Sequence, residues 1–348
     1  MNGQKSVNDL RLAIGRQPQD ARADVLRPGC ADIRWQRVAG RPRAPADLRL
    51  RIHQADCSEQ RRRIVGSLMA PRILVIGCAS LDTLHIGGQT YHTIGGAGLY
   101  TALAAHYAGA CAALLGPKPD PVPPILHPVA QRLAWFGPEV QPDDLPRLEI
   151  AHHGEGRATL MGASWGAEAR LTVDDLPADL SEFAVVHIAA LSSAQKMLDF
   201  LRTCRARRAP RISAGTYYRI VQREPATVRA IFEQADLFFM NENEAIGLWG
   251  SLRVAGRIAT RTRDNALLFI TFDRRGAIVV AGDQATPLPA DPAVEVDPTG
   301  AGDTFCGATL AGLARGEDAL TAARNAATLA ARKIEHVGPA FLLGFPLI

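Results

Sequence analysis

The sequence predicts an α/β fold, a doubly wound and mostly parallel sheet with helices on both faces. Three observations carry that expectation. Continuous apolar runs such as Ile73-Leu74-Val75-Ile76 and Phe183-Ala184-Val185-Val186-His187-Ile188 have the length and composition of strands covered on both faces. They alternate with segments of helical pattern, the arrangement that lays successive strands parallel. Near the C-terminus a β-like run, Ala293-Val294-Glu295-Val296, passes through Asp297-Pro298-Thr299-Gly300-Ala301-Gly302-Asp303 into a helix over Phe305 to Leu313. In a sheet of this kind ligands bind at the carboxyl ends of the strands.

The chain has 348 residues, of which 47% are apolar, enough for one large α/β domain or two small ones. Charge divides it unevenly. Residues 1–68 hold 14 Lys and Arg against 7 Asp and Glu, a net of +7, which leaves the other 280 residues with 25 and 28, a net of −3. The basic balance therefore belongs to the N-terminal segment, and no nucleic-acid partner is expected for the rest. Residues 1–68 show no apolar period and are expected to form a poorly ordered or non-native extension, with the functional domain over 69–348. The six cysteines, at 30, 57, 78, 111, 204 and 306, form no C-x-x-C pair and suit a reducing compartment rather than a zinc or disulfide framework. No run reaches membrane-spanning length, and no apolar segment follows Met1 to Lys5 as in a secretory signal. The expectation is a cytoplasmic protein with no membrane partner.

From residue 69 the elements follow in order. Arg72 to Gly77 is the first strand, and Asp82 lies five residues past Gly77, either as a ligand-holding carboxylate or as an ordinary turn residue. His85 to Tyr91 reads as a hairpin around Gly87-Gly88. Gly95-Gly96 then opens a helix over Leu99 to Ala108; a dinucleotide fingerprint would need G-x-G-x-x-G directly after the first strand, so a Rossmann dehydrogenase is disfavoured. Residues 117–146 are proline-rich and read as loops and short helices. A second hairpin spans Leu148 to Met161, with His152 and His153 taken as exposed. The strand over Phe183 to Ala189, the helix over Ser193 to Arg207, the strand over Pro210 to Gly215 and the helix over Pro225 to Gln234 continue the alternation. The strand Asp236 to Met240 ends at Asn241-Glu242-Asn243-Glu244, where a capping box and a metal-linked oxygen pair are both consistent with the spacing. The strand Ala266 to Thr271 turns through Asp273 to Gly276, a turn in which Asp tolerates positive φ.

The Asp297 to Asp303 stretch carries the chemistry. A strand, a glycine turn and a helix aim several backbone N–H groups at one point, and with the positive end of the helix dipole they form an anion site. A carboxylate at Asp303 in such a site is costly unless it takes a proton from an attacking hydroxyl; the alternative is a helix N-cap.

Asp297-x-x-Gly-Ala-Gly-Asp303 resembles the C-terminal signature of ribokinase-like, PfkB-type carbohydrate and nucleoside kinases. Gly77…Asp82, Gly95-Gly96, Asn241-x-x-Glu244 and Thr271…Gly276 agree with it, so the resemblance covers about residues 71–340. It implies a ribokinase-like sheet with a small β lid from about 84–94 and 147–163, which leaves a homodimer through the lid open. It also implies an ATP-dependent kinase acting on a hydroxyl of a sugar, nucleoside or related small alcohol. In that reading Asp303 is the base and Gly300, Ala301 and Gly302 line the anion site. Asp82, Gly95 and Gly96 hold the substrate, and Thr271, Gly276, Asn325 and Gly338 border ATP. Asn241 and Glu244 orient Mg²⁺ through water, and Asp297 serves either a K⁺-type monovalent cation or only the turn. Tyr100, Ser213 and Asp273 depart from the family's usual residues, and the alternative they raise is a non-catalytic ligand-binding protein that retains the fold.

Overall fold

The computed structural model describes residues 70–154, 156–251 and 266–344. The expected extension over 1–68, and Glu155 at the tip of the second hairpin, lie outside the described residues. The strands are β1 (Arg72–Ile76), β2 (Ser80–Ile86), β3 (Gln89–Gly95), β4 (Cys111–Leu115), β5 (Lys118–Pro119), β6 (Ala134–Phe136), β7 (Glu139–Val140) and β8 (Arg147–His152). After these come β9 (Ala158–Ser164), β10 (Val185–Ile188), β11 (Ile212–Ala214), β12 (Leu237–Asn241), β13 (Leu267–Thr271), β14 (Ala277–Ala281) and β15 (Gln284–Leu288). The helices are α1 (Ala97–Tyr107), α2 (His127–Ala130), α3 (Ala194–Ala206), α4 (Tyr218–Arg223), α5 (Pro225–Gln234), α6 (Glu242–Trp249), α7 (Ala301–Ala314) and α8 (Ala319–Ile334).

A nine-stranded sheet runs in the order β15-β14-β13-β12-β11-β10-β1-β4-β6. Strands from β13 across to β6 pair in parallel, and β14 and β15 close one edge as antiparallel additions. The reason β1 reads as an unbroken apolar run is now plain: both of its faces are covered. Ile73 and Val75 point into one core layer, with α1, α7 and α8, while Leu74 and Ile76 point into the other, with α3 and α5. All four are fully buried, each worth roughly 1.5–3 kcal/mol of apolar transfer.

A second, four-stranded sheet, β3-β2-β8-β9, joins the two hairpins through a parallel β2–β8 pairing. The first hairpin turns at Gly87 and Gly88, both with positive φ, the two-residue turn that glycine permits. Its second strand runs into α1, a helix built of small residues and buried along most of its length.

Helix α7 crosses α1 at very short range. A Cβ added to Gly307 would lie 2.1 Å from the Thr101 carbonyl oxygen and 3.0 Å from the Ala104 Cβ. At the start of the same pair, Gly300 lies against the Tyr100 ring, 2.5 Å from where its Cβ would be. Two helices therefore begin side by side, one after Gly95-Gly96 and the other after Gly300.

Several expectations need correcting. Ala293 to Val296 is not a strand. Val294 is 73% exposed, and the N–H groups of Val296 and Asp297 both donate to the Ile334 carbonyl, at 2.8 and 2.9 Å. The segment is held by the carboxyl end of α8 rather than by a neighbouring strand. Asp82 is not in a turn but inside β2, and it is 3% exposed. His152 is not an exposed hairpin residue, since its side chain is only 6% exposed. Asp303 is not the N-cap of α7: that position is Gly300, with φ +74°, and Asp303 sits in the first turn without a side-chain capping bond. Strand β4 lies before the proline-rich stretch and was not legible, because Cys111-Ala112-Ala113-Leu114-Leu115 has neither β-branched residues nor alternation.

Candidate active site

Three carboxylates surround one buried ring. Tyr100 is 1% exposed, and its hydroxyl is held well above its usual range by burial and then by the charges of Asp297, Asp82 and Asp303. Each carboxylate is brought there by a different element, β2 for Asp82, the turn before α7 for Asp297 and the first turn of α7 for Asp303.

Asp82 packs against a glycine that could be nothing else. A Cβ at Gly95 would fall 1.9 Å from Asp82 Oδ2. Its other oxygen, Oδ1, accepts the Leu148 N–H of β8 at 3.3 Å, so this carboxylate ties the core-side hairpin to the next strand of the small sheet. Burial raises its pKa to about 6. Gly96 has φ +98°, and a Cβ there would sit 2.4 Å from the Cys78 carbonyl oxygen. Gly95 and Gly96 thus serve close backbone packing around Asp82.

The turn before α7 is built around Asp297, which is fully buried. Its Oδ1 accepts the Thr299 N–H at 2.9 Å and lies 3.3 Å from His152 Nε2. Its Oδ2 accepts the Gly338 N–H at 2.7 Å. Lys333, on α8 and fully buried, donates from Nζ to the Asp297 carbonyl at 2.9 Å, to Oδ2 at 3.4 Å, and to the Thr299 carbonyl. Its ammonium also lies 5.1 Å from the centre of the Tyr100 ring. His152 Nε2 is 3.0 Å from Thr299 Oγ1, and burial lowers its pKa, so the ring is neutral at pH 7.

Asp303 is half-buried, and desolvation pushes its carboxyl up to about 6, opposed by the charge of Lys333. Next to it Gly302 is exposed, and a Cβ added there would meet nothing of the protein within 4 Å. The open side of Gly302 faces the helix start whose first N–H groups have no intrahelical acceptor. No side chain of the protein fills the space beside Gly302.

Asn241 and Glu244 form a complete capping box at the start of α6. Asn241 N–H donates to Glu244 Oε2 and its side-chain amide to Oε1, both at 2.8 Å, and Glu244 N–H returns a 3.0 Å bond to Asn241 Oδ1. Glu244 is 5% exposed, and its carboxyl is raised to about 8 by burial and, in smaller part, by the charge of Asp303. The capping role is thus present, and the Glu244 carboxyl also senses the charge of Asp303.

The remaining predicted positions are more scattered. Thr271 ends β13 opposite Ala277. Gly276 has φ +96°, and a Cβ there would be 2.0 Å from the Leu288 carbonyl oxygen. Asp273 has φ +48°, the conformation its place in this turn demands. Asn325 is exposed on α8 and donates to Glu317 Oε2 at 3.2 Å, whereas Gly338 lies beside Thr93 and Asp297. The departures at Tyr100 and Ser213 also have structural accounts. Tyr100 supports Gly300 and Lys333, and Ser213 Oγ is bonded to the buried His187 Nδ1 at 2.9 Å.

Lys333 and Glu168 were missed from sequence, and His152 was read there as an exposed hairpin residue. Lys333 and His152 brace the Asp297 turn. Glu168, 2% exposed, accepts the Ser192 N–H at 2.8 Å and the Ser192 hydroxyl, and lies 3.9 Å from Cys78 Sγ in the turn before β2. Near it, Trp165 and Tyr217 pair at 6.0 Å between ring centres, both half-buried. A signal for Lys333 did exist, because it continues the inward face marked by Ala322, Ala326 and Ala330 at helical spacing.

Comparison with known proteins adds the context. Residues 139–343 match the pfkB family carbohydrate kinase model. The cytidine kinase of Thermococcus kodakarensis is 27% identical over 250 residues, covering 70% of this chain and 89% of that protein. Among solved structures, the adenosine kinase of Sinorhizobium meliloti superposes with a TM-score of 0.67 at 19% identity, covering 80% of this chain and 97% of that one. A ribokinase of Cryptococcus neoformans, solved in complex with ADP, gives a TM-score of 0.65 at 18% identity over 79% of this chain and 97% of its own.

Proposed function

From the premise that the chain belongs to the pfkB family of carbohydrate kinases, phosphotransferases with an alcohol group as acceptor, we propose that it moves the γ-phosphoryl group of ATP to a hydroxyl of a nucleoside. The observation that carries this reading is the pairing of Asp303, a raised carboxyl, with the open face of Gly302 at the start of α7. A base needs a pKa not far below working pH, and an anion site needs unblocked N–H groups; one helix turn supplies both. The nucleoside is favoured over a free sugar by the half-buried Trp165–Tyr217 pair, which offers an apolar face near the turn leading to Asp82. The cytidine and adenosine kinases among the similar proteins agree with this choice, and the ribokinases among them stand for the free sugar.

In this mechanism Asp82 binds hydroxyls of the acceptor and orients one of them towards Asp303. Asp303 takes its proton as the oxygen attacks in line, and the N–H groups of Gly300, Gly302 and Asp303 stabilise the charge spread over the phosphoryl oxygens, the Ala301 N–H being held by the Pro298 carbonyl at 3.1 Å. Thr271, Gly276, Asn325 and Gly338 are the proposed border of the nucleotide. A divalent cation would suit the Glu244 region, where the charge of Asp303 adds to burial in raising the Glu244 carboxyl, and where both Glu244 oxygens, held by Asn241, would reach the ion only through its waters. Asn241 and Glu244 would hold Mg²⁺ through its waters, and the charge neutralisation of phosphate oxygens is what the ion would supply there.

The test is ATP consumption and mass analysis of products with a panel of ribonucleosides, deoxyribonucleosides and free pentoses and hexoses. Phosphorylated nucleoside with the parent protein, and none with Asp303→Asn, is the expected result. Phosphorylation of free sugars alone would overturn the nucleoside reading while leaving the kinase in place.

A further inference from the structure

The resemblance to sugar kinases directs attention to Asp297 as the carboxylate of a monovalent-cation site, but the residues present do not fit one. Both carboxylate oxygens and the carbonyl of Asp297 already accept hydrogen bonds, from Thr299 N–H, Gly338 N–H and Lys333 Nζ. The carbonyl of Thr299, on the same turn, is also taken by Lys333. We propose that the ammonium of Lys333 is the resident cation of this turn, a positioning residue that fixes the anion site of α7 without any bound monovalent metal.

The chemistry of the contacts carries this. The three oxygens around Nζ are two main-chain carbonyls and a carboxylate, and none of them can donate. Three acceptors facing one nitrogen require three N–H bonds, which only the protonated amine has. The fourth side is the face of the Tyr100 ring, which also favours a cation. A buried lysine with such a shell does what a desolvated metal ion would do. It draws the carbonyls of Asp297 and Thr299 inward; Pro298 follows Asp297 and has no N–H, so the donor that this turns to the other side is the Gly300 N–H, which follows the Thr299 carbonyl. That N–H belongs to the residue that precedes α7 and caps it. Lys333 also lies close enough to Asp303 to oppose the effect of burial on its carboxyl. The charged and titratable groups facing the ammonium are Asp297 on the turn, Asp303 on α7, Tyr100 on α1 and His152 on β8, and the last is held neutral by burial. Glu244 faces Asp303 from α6.

This inference rests on the kinase reading, and the experiment separates the two. Turnover and melting temperature of the full chain would be measured in potassium, sodium, ammonium and choline chlorides at equal ionic strength. Equal ionic strength makes general screening the same in all four. The expected result is turnover within about twofold across the series, with one common melting temperature. Activation by potassium well beyond that, or a melting temperature raised by potassium over choline, would overturn the proposal, because a specific ion stabilises the state that binds it. Absence of turnover in every salt would instead count against the kinase reading, and the melting arm would still decide the question of the cation. Lys333→Gln provides a second arm. It should lower turnover by about tenfold or more and move the acid limb of the rate profile to higher pH, because the charge opposing protonation of Asp303 is gone. A Gln variant that folds with unchanged turnover and an unmoved acid limb would overturn the proposal; if it does not fold, the salt series on the parent decides alone.

Discussion

At the scale of single residues, the site turns on how burial changes a carboxyl group. Asp303 at about 6 is far enough above an ordinary aspartate to accept a proton usefully, and low enough to be ionised at neutral pH. On the proposed mechanism its base form is the active one, so turnover should fall as pH drops through about 6, rather than near 4 as an unshifted carboxylate would give. Asp82, also at about 6, contributes to the same limb. Asp303→Asn should reduce phosphoryl transfer by about 10² to 10⁴ while ATP binding and melting temperature hold, because no capping bond is lost. Turnover within a few-fold of the parent would dismiss Asp303 as the base. The residues that sequence assigned by type were legible because their chemistry is conspicuous there: a carboxylate after a glycine turn, or an Asn-x-x-Glu at a strand end. Those that support them were not. Lys333 and His152 act through contacts with the Asp297 turn across 36 residues for one and 147 for His152 with Thr299; the helical spacing marks Lys333 as inward-facing, but nothing local announces the partner of either.

At the scale of elements, the two glycines of the α7 turn have separable jobs. Gly300 has φ +74° and the Tyr100 ring beneath it, so Gly300→Ala should destabilise the fold by about 1–3 kcal/mol, seen as a lower melting temperature. Gly302 has no protein neighbour where a Cβ would go, so Gly302→Ala should melt with the parent yet lose turnover, because the methyl occupies the approach to the anion site. Equal effects of the two substitutions on stability would show that Gly302 is a packing residue after all. The capping box at α6 makes a third case. Glu244→Gln keeps an acceptor for the Asn241 N–H, so the helix should survive, and the loss of activity should be greater at low Mg²⁺ than at high. An equal loss at all Mg²⁺ concentrations would leave Glu244 with the cap alone. The element-level reading of sequence succeeded where apolar runs were long, as in β1, β10 and β12. It failed at Ala293 to Val296, where the composition of a strand is present but no partner strand is, and the backbone is satisfied by the end of α8.

At the scale of the molecule, the alternation of strands and helices was enough to give the doubly wound sheet, because each buried strand needs cover on both faces and the intervening helices supply it. The antiparallel edge was less legible, since Gln284-Ala285-Thr286-Pro287-Leu288 is half polar and carries a proline, as an edge strand can. Among the described residues no helix is long and apolar enough to cross a membrane. The first described strand begins at Arg72, and the residues that match the kinase family lie well beyond it. A chain started at Met69 should therefore keep its melting temperature and turnover; loss of soluble protein on that truncation would show that the basic segment belongs to the fold. The close crossing at Gly307 has one more consequence. The helix that follows Gly95-Gly96 and the helix that carries the Gly300 turn are held one backbone apart, and on the proposed mechanism that contact would set the gap between acceptor oxygen and phosphorus. Gly307→Ala would wedge that contact open, since its new methyl would fall 2.1 Å from the Thr101 carbonyl. Water is smaller than any alcohol substrate and tolerates a widened gap better. The variant should then spend ATP without making product, and the ratio of ADP released to phosphorylated acceptor, close to one in the parent, would measure how far the coupling has slipped.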